Sequence, residues 1–504
     1  MNYHIIDNIA TAVALKDIPE VEYAELYEDL KERLKSSRYH VAHYFATPDA
    51  NRLRFYIVVL DDTEHKVMLA TFTMEYYDDV ALPSLTAIHP AMHIYEREIT
   101  ELYNVEFDSM PWNKPVRFSF DRRNRNSTID NYPFYTIEGD SLHEVNVGPI
   151  HAGIIEPGAF RFICNGENVL HLEIALGYQH RGVEHEFAAT DNRLRQMLLA
   201  ESIAGDSAVS HGVTFAHNIE KLSNVTPTRD LELERAVALE LERMALHIAD
   251  TAALSTDVGY QLGQVACEAL RTMTINTTQA WCGNRFGKGV IRPAGSNFPL
   301  TEAKRDMILS NVKEIARRYG EVKEDIKSSP SLLARFEQCG IVERQEMQRI
   351  GGVGMAARAS GVKRDIRTSH PYGVFTDAIK HESVVKRQGD VMARLMVRSN
   401  EVLQSAEYIQ LLLENYKPSK SIPHPDYEKA LAASSLAVSL TEGWRGEICH
   451  VAITDENGAI STYKVKDPSL HNWLALALAV RGEGISDFPI CNKSFNLSYC
   501  GYDL

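Results

Sequence analysis

Metal binding needs donor atoms at fixed offsets, and residues 201–212, ESIAGDSAVSHG, keep the offsets without the donors. Ala204, Gly205, Ser207 and His211 are spaced as in a ligand loop, but the stretch contains no cysteine. Alanine has no side-chain donor, and a serine hydroxyl is hard and barely ionised. Thiolates, by contrast, are soft, polarizable and readily ionised. A second group of chemically capable residues is charged. Glu240, Arg243 and His247 fall at i, i+3 and i+7 and share one helical face. Arg358, Asp365 and Arg367 lie in RASGVKRDIR, and Asp390, Arg394, Arg398 and Glu401 form a stripe along GDVMARLMVRSNEV. Taken singly, each of these reads as a solvated helix face or a structural ion pair.

The elements that carry them follow from periodicity. Leu26, Leu30 and Leu34 share a helical face in YAELYEDLKERL, the runs RYHVAHYFAT, RLRFYIVVL and KVMLATFTME read as strands, and MHIYEREITELY reads as a second helix. DSMPWNKPVRFSFDRRNRNSTIDNYP is rich in Pro, Asn and Arg and lacks a period, which marks a linker. Beyond it, Val169–Leu176 reads as β structure. Long amphipathic helices follow in LERAVALELERMALHIADTAAL, in the segment carrying Ile308, Val312, Ile315 and Tyr319, and in GDVMARLMVRSNEVLQSAEYIQLLLENY. The last stretch, EICHVAITDENGAISTYKVKD, is strand-like with a turn at Glu456–Gly458. The expected organisation is an α+β domain at 1–125, a linker at 126–145, and a mainly α-helical long-helix bundle with peripheral β structure at 146–504.

Composition limits the classes. A chain of 504 residues exceeds one ordinary core, so two domains or three are expected. The net charge of -15 argues against a nucleic-acid surface. The N-terminal residues lack a basic region followed by an apolar core, so no secretory leader is expected. The longest apolar run, WLALALAV, is far shorter than the roughly 20 residues that span a bilayer. Seven scattered cysteines with no CxxC pair fit reduced thiols better than a disulfide framework.

Two sets of motifs carry a resemblance. LPSLTAIHPAMHIYEREITELYNVEF is similar to the signature of the small hydrophilic subunit of respiratory complex I. Glu96, Arg97 and Glu98 match its core, while Glu101 and Asn104 stand where that family has aspartate and glycine. VGPIHAGIIEPGAFRFICNGENVLHLEIALGYQHRGVEH, LELERMALHIAD, GVIRPAGS, ARASGVKRDIRTSHPYGVF, GDVMARLMVRSNEV and EGWRGEICHV resemble, in order, the large subunit shared by complex I and the energy-converting nickel-iron hydrogenases. The form GPxHxxxxEPGxFR is nearer the hydrogenase branch, including the fused large subunit of formate hydrogenlyase type.

What the resemblance implies is a nickel-iron large-subunit-like fold with altered chemistry. Four thiolates hold the metals in that branch. Their positions correspond here to Ala204, Ser207, Ser498 and Gly501, so neither a nickel-iron centre nor hydrogenase activity is expected, and no metal is assigned to this chain. His151, Asp206, His211, Cys491 and Cys500 are the candidate lining of the vacated cavity. They read as polar residues bonded to one another, because their spacing follows no known ligand geometry. The histidine and tyrosine that hold the quinone headgroup in complex I are also missing. Ala159 stands near the histidine's place, and no tyrosine occurs between Tyr178 and Tyr260. A quinone bound by other groups stays open. Glu240, Arg243, His247, Arg358, Asp365, Arg367, Asp390, Arg394, Arg398 and Glu401 are, by resemblance, a buried polar relay that couples redox change to the membrane arm. The resemblance further implies a peripheral subunit at the cytoplasmic face of the membrane. Its partners would be a small iron-sulfur subunit, which holds the clusters, and antiporter-like membrane subunits. Two roles remain open, an oxidoreductase subunit and a non-catalytic coupling subunit.

Overall fold

The computed structural model describes residues 1–75, 81–123, 125–418 and 422–504. Tyr39–Asp49, Arg52–Asp61 and Lys66–Glu75 form an antiparallel meander, with His4–Ile6 added beside the last strand. Successive side chains of a strand point to opposite faces, and in this sheet the two sets enter different cores. Tyr44, Phe55, Ile57, Val59 and Phe72 pack with Leu26, Leu30, Ile94 and Ile99 of the helices Tyr23–Arg33 and His93–Tyr103. Phe45, Tyr56, Val58 and Leu60 join the core of the long-helix region instead. A sheet covered on both faces has no reason to alternate apolar with polar residues, which is why RLRFYIVVL reads as a nearly continuous apolar run.

The backbone crosses the same seam. Val13–Ala14 pairs antiparallel with Ser435 and Leu436, becoming the edge strand of a sheet formed by Ser435–Glu442, Glu447–Thr454 and Ile460–Lys466. The 435–442 and 447–454 strands are buried at every residue, and the helix Ala208–Leu222 packs against both. Asn8 locks the join. Its amide donates to Leu440 O and His370 O at 3.0 and 2.9 Å and accepts from Leu440 N at 3.0 Å.

Four long helices, Arg229–Asp257, Gln261–Cys282, Glu302–Ser328 and Val391–Glu414, form the bundle. The side chains of Thr228, Thr301 and Asp390 accept from the first-turn N–H groups of Leu231, Lys304 and Ala393, which sets where three of them begin. The 229–257 helix is buried along most of its length, charged residues included. A third sheet, Leu142–Val147, Ala159–Asn165 and Asn168–Ala175, begins inside the stretch read as a linker. The chain ends in the short helices Phe488–Phe495 and Tyr499–Asp503, where Asp503 accepts from Gly177 N and Gln179 N at 2.7 and 2.8 Å. An α+β N-terminal part followed by a long-helix bundle with added β structure is therefore what the chain builds. Among the described residues no helix is long and apolar enough to cross a membrane.

Candidate functional site

The degenerate loop runs into the 208–222 helix, whose first N–H groups need acceptors. Glu242 supplies them, accepting from Val209 N at 2.7 Å, Ser210 N at 3.2 Å and the Ser210 hydroxyl. Burial pushes the Glu242 carboxyl up to about 7 in spite of these bonds. The loop is thus pinned to the central helix, and His211 stands fully buried in the first turn.

Arg445 lies against this loop. Its guanidinium forms a two-pronged ion pair with Asp206 at 2.7 and 2.6 Å, reaches Ser207 Oγ at 3.3 Å, and donates through Nε to Asn496 O at 2.6 Å. Ser498 Oγ accepts from Gly501 N at 2.9 Å as the cap of the 499–503 helix. A β-carbon on Gly501 would lie 2.6 Å from Asp467 Oδ2, so the Asp467 carboxylate fills the space a larger residue would need. Ala204 is buried and has no donor. Ala204, Ser207, Ser498 and Gly501 are thus each either without a side-chain donor atom or already engaged.

Asp467 also opens a chain of hydrogen bonds. His211 Nε2 lies 3.1 Å from Asp467 Oδ2, His211 Nδ1 3.0 Å from His450 Nε2, and His450 Nδ1 2.9 Å from the Tyr463 hydroxyl. Burial alone would raise Asp467, but the His211 bond, the charge of Arg445 and the Ser469 N–H hold it below its ordinary value. Burial, with His211 adjacent, keeps His450 well below the usual histidine range. One arrangement of protons satisfies all three contacts at once. Tyr463 donates to His450, His450 to His211, and His211 to Asp467.

The five candidate cavity residues do not form one set. Asp206, His211 and Cys500 gather around Arg445, Asp467 and Ser498, with Cys500 Sγ 3.4 Å from Ser498 Oγ. Burial pushes the Cys500 thiol up to about 11. His151 bonds instead to Gly158 O at 2.9 Å, and Cys491 Sγ lies 3.8 Å from Cys339 Sγ. A cluster elsewhere, His217, Glu220 and Glu232, brings its ligand atoms within 4.8 Å of one another. Arg235 already occupies those carboxylates, at 3.0 and 2.5 Å to Glu220 and 2.6 Å to Glu232, so the group reads as an ion-pair cluster.

Seven of the ten candidate relay residues form one buried network. Glu401 accepts from Arg358 at 2.8 Å and from His247 at 2.9 Å, with Arg243 at 3.6 Å. Arg358 also reaches Glu442 at 2.6 Å and Asp365 at 3.2 Å. Arg367 joins Asp365 at 2.9 Å to Glu240 at 3.2 Å, and Glu240 returns to Arg243 at 3.2 Å. Arg398 belongs to the other cluster. It pairs with Asp250 at 2.7 Å, Asp250 accepts from Asn496 at 2.6 Å, and Asn496 O meets Arg445. Asp390 and Arg394 do different work. Asp390 caps the 391–414 helix and accepts from Gln338 N at 2.9 Å, while Arg394 donates to Ser494 Oγ and to the carbonyls of Gly389 and Gly340. Burial pushes the Arg394 guanidinium down to about 10.

Sequence reasoning missed Asp250, Glu442, Arg445, His450 and Asp467. Asp250 had a signal, since it extends the 240, 243, 247 spacing by three more residues on the same helical face. Glu442, Arg445 and His450 lie inside EGWRGEICHV, a motif whose individual side chains were not weighed. Asp467 follows a strand with no local pattern to mark it.

Comparison with known proteins agrees with this architecture. Residues 257–503 match the family described as respiratory-chain NADH dehydrogenase, 49 Kd subunit, and residues 11–121 match the 30 Kd subunit of the same enzyme. The carbon monoxide-induced hydrogenase of Rhodospirillum rubrum is 28% identical over 71% of this chain and 98% of its own length. The membrane-bound hydrogenase subunit alpha of Pyrococcus furiosus is 25% identical over 70% of this chain and 85% of its own. Hydrogenase-4 component G of Escherichia coli is 24% identical over 91% of this chain and 80% of its own.

Proposed function

Starting from a chain that carries the 30 Kd-type and 49 Kd-type domains of respiratory-chain NADH dehydrogenase in one polypeptide, we propose a subunit of a membrane-bound, complex I-like oxidoreductase that couples electron transfer to ion translocation and has no nickel-iron centre. The observation that carries this reading is the filled pocket. The guanidinium of Arg445 and the carboxylate of Asp467 stand among the four positions where thiolates would be needed. Soft-metal binding requires ionised sulfur at those places, and none of the four residues supplies it. The buried network of Glu240, Arg243, Arg358, Asp365, Arg367 and Glu401 supports the coupling role, because ion pairs this deeply buried respond strongly to a change of charge nearby.

Relatives named as hydrogenases, one of them membrane-bound, support assembly with membrane subunits of antiporter type at the cytoplasmic face. A small iron-sulfur subunit would supply the clusters. It would dock at the 148–158 loop, where Ile150 and Ile154 are 82% and 87% exposed and Glu156 lies against Cys500. A second reading, reduction of a quinone or another small acceptor beside Asp467, is favoured by the Tyr463–His450–His211–Asp467 chain, which joins a tyrosine hydroxyl to a carboxylate through two imidazoles.

The test is purification of the complex from membranes with its partners, followed by metal analysis and assays of hydrogen uptake and ion translocation. Iron from partner clusters, no nickel, no hydrogen uptake and ion movement lost in Arg358→Gln are expected. Stoichiometric nickel on this chain would overturn the reading.

A further inference from the structure

The buried network does not balance its charges. It holds four carboxylates, Glu240, Asp365, Glu401 and Glu442, against three guanidiniums, Arg243, Arg358 and Arg367. Its two histidines do not supply the missing positive charge. Burial, with Arg398 and Arg243 facing it, pulls His247 down to about 4, and burial beside Arg367 lowers His381 as well. An uncompensated charge in the interior is removed by taking up a proton.

Contacts single out the carboxylate that takes it. Glu240 meets Arg243, Arg367 and the Ser405 hydroxyl. Asp365 is gripped by Arg367 and approached by Arg358 and His381. Glu401 meets Arg358, Arg243 and His247. Glu442 has a single cationic contact, one nitrogen of Arg358 that also faces Asp365, together with Ile366 N–H at 3.0 Å. The backbone around it is held by Arg243, which donates to Glu442 O at 2.7 Å, and by Tyr372, whose hydroxyl accepts from Glu442 N at 3.2 Å. In keeping with this, burial and the neighbouring Asp365 push the Glu442 carboxyl up to about 7 against the pull of Arg358 and Arg367. The other three carboxylates stay below their ordinary range in spite of burial.

We propose that Glu442 takes up and releases a proton near neutral pH and is the exchangeable proton-holding site of this network. Its location gives the proton a use. Gly443 N donates to Gly446 O at 2.8 Å and Gly446 N to Gly443 O at 3.1 Å, so Glu442 and Arg445 sit on one tight turn. Glu442 faces the network and Arg445 faces Asp206. Loss of the Glu442 proton leaves the network with one net negative charge beside the turn that fixes Arg445. The inference concerns this chain alone and stands whatever reaction the complex performs.

Infrared spectra of the full chain, recorded as a function of pH, test it. At neutral pH the protonated-carboxyl stretch should be weaker in Glu442→Gln and restored in Glu442→Asp. An unchanged band in the glutamine variant would overturn the proposal. Stability supplies an independent reading. A carboxyl whose folded pKa lies above its unfolded value binds its proton more tightly when folded, so stability falls as pH rises between the two values. Relative to wild type, the folding constant of Glu442→Gln should therefore rise on the order of a hundredfold from about pH 4.5 to just above 7, and Glu401→Gln should be destabilised throughout. A relative folding constant that falls with pH, or a Glu442→Gln chain that fails to fold where Glu401→Gln folds, counts against a neutral acid.

Discussion

At Gly501 a β-carbon would meet Asp467 Oδ2, Asp467 Cγ and Ser498 Oγ at 2.6, 2.7 and 2.9 Å. The same Asp467 carboxylate anchors His211. Placing a cysteine there meets a steric obstacle. Gly501→Cys is expected to cost about 1–3 kcal/mol from overpacking, measured by denaturant unfolding. In the Gly501→Cys, Asp467→Ala double variant the two costs should be less than additive, because the second change removes the nearer part of the obstacle and leaves Ser498 Oγ at 2.9 Å. Strict additivity would show that Asp467 does not fill the position. Residue types alone made the absence of cysteine at Ala204, Ser207, Ser498 and Gly501 legible, whereas the presence of Arg445 and Asp467 beside them was not. Nothing in ESIAGDSAVSHG announces an arginine 239 residues further along the chain.

Among the elements, the 391–414 helix separates two kinds of charged residue that its sequence presents as one stripe. Asp390 precedes the helix and serves its first turn, with its carboxylate 2.7 Å from Ala393 N. Glu401 and Arg398 face inward to the network and to Asp250. Asparagine caps as well as aspartate but has one acceptor oxygen, so Asp390→Asn should keep the cap, lose the Gln338 N bond and cost about 1 kcal/mol of stability, and Asp390→Ala, which loses both, should cost about 2 kcal/mol. If the asparagine variant loses as much as the alanine one, the charge at 390 does more than cap. Helices and strands themselves were legible because their periods are local. The spacing of Ile308, Val312, Ile315 and Tyr319 describes a helix whose buried face is those residues. The 435–442 strand was missed although Leu436, Val438 and Leu440 alternate with Ser435, Ala437, Ser439 and Thr441, a period-2 signal in a strand whose two faces are both buried.

Over the whole molecule, the N-terminal and long-helix regions share both a core and a sheet, so neither is complete alone. Removing residues 1–21 deletes the Val13–Ala14 strand and the Asn8 bonds to Leu440. Amide hydrogen exchange should then quicken across 435–442 and leave the centre of the 229–257 helix unchanged. Equal acceleration in both would mean that the strand supports the entire fold, and no change at 435–442 would mean that it is dispensable. The sequence determined the long helices and most strands, the absence of cysteine at positions 204, 207, 498 and 501, and the spacing of Glu240, Arg243 and His247. Each of these depends on residues within a few turns of one another or on the chemistry of a single side chain. Tertiary structure alone decided which charges meet. His211 finds Asp467 across 256 residues, Arg243 reaches the carbonyl of Glu442 across 199, and Arg358 reaches Glu442 across 84. No local period encodes such pairings, because they are selected by the need of every buried charge for a partner once the elements have packed.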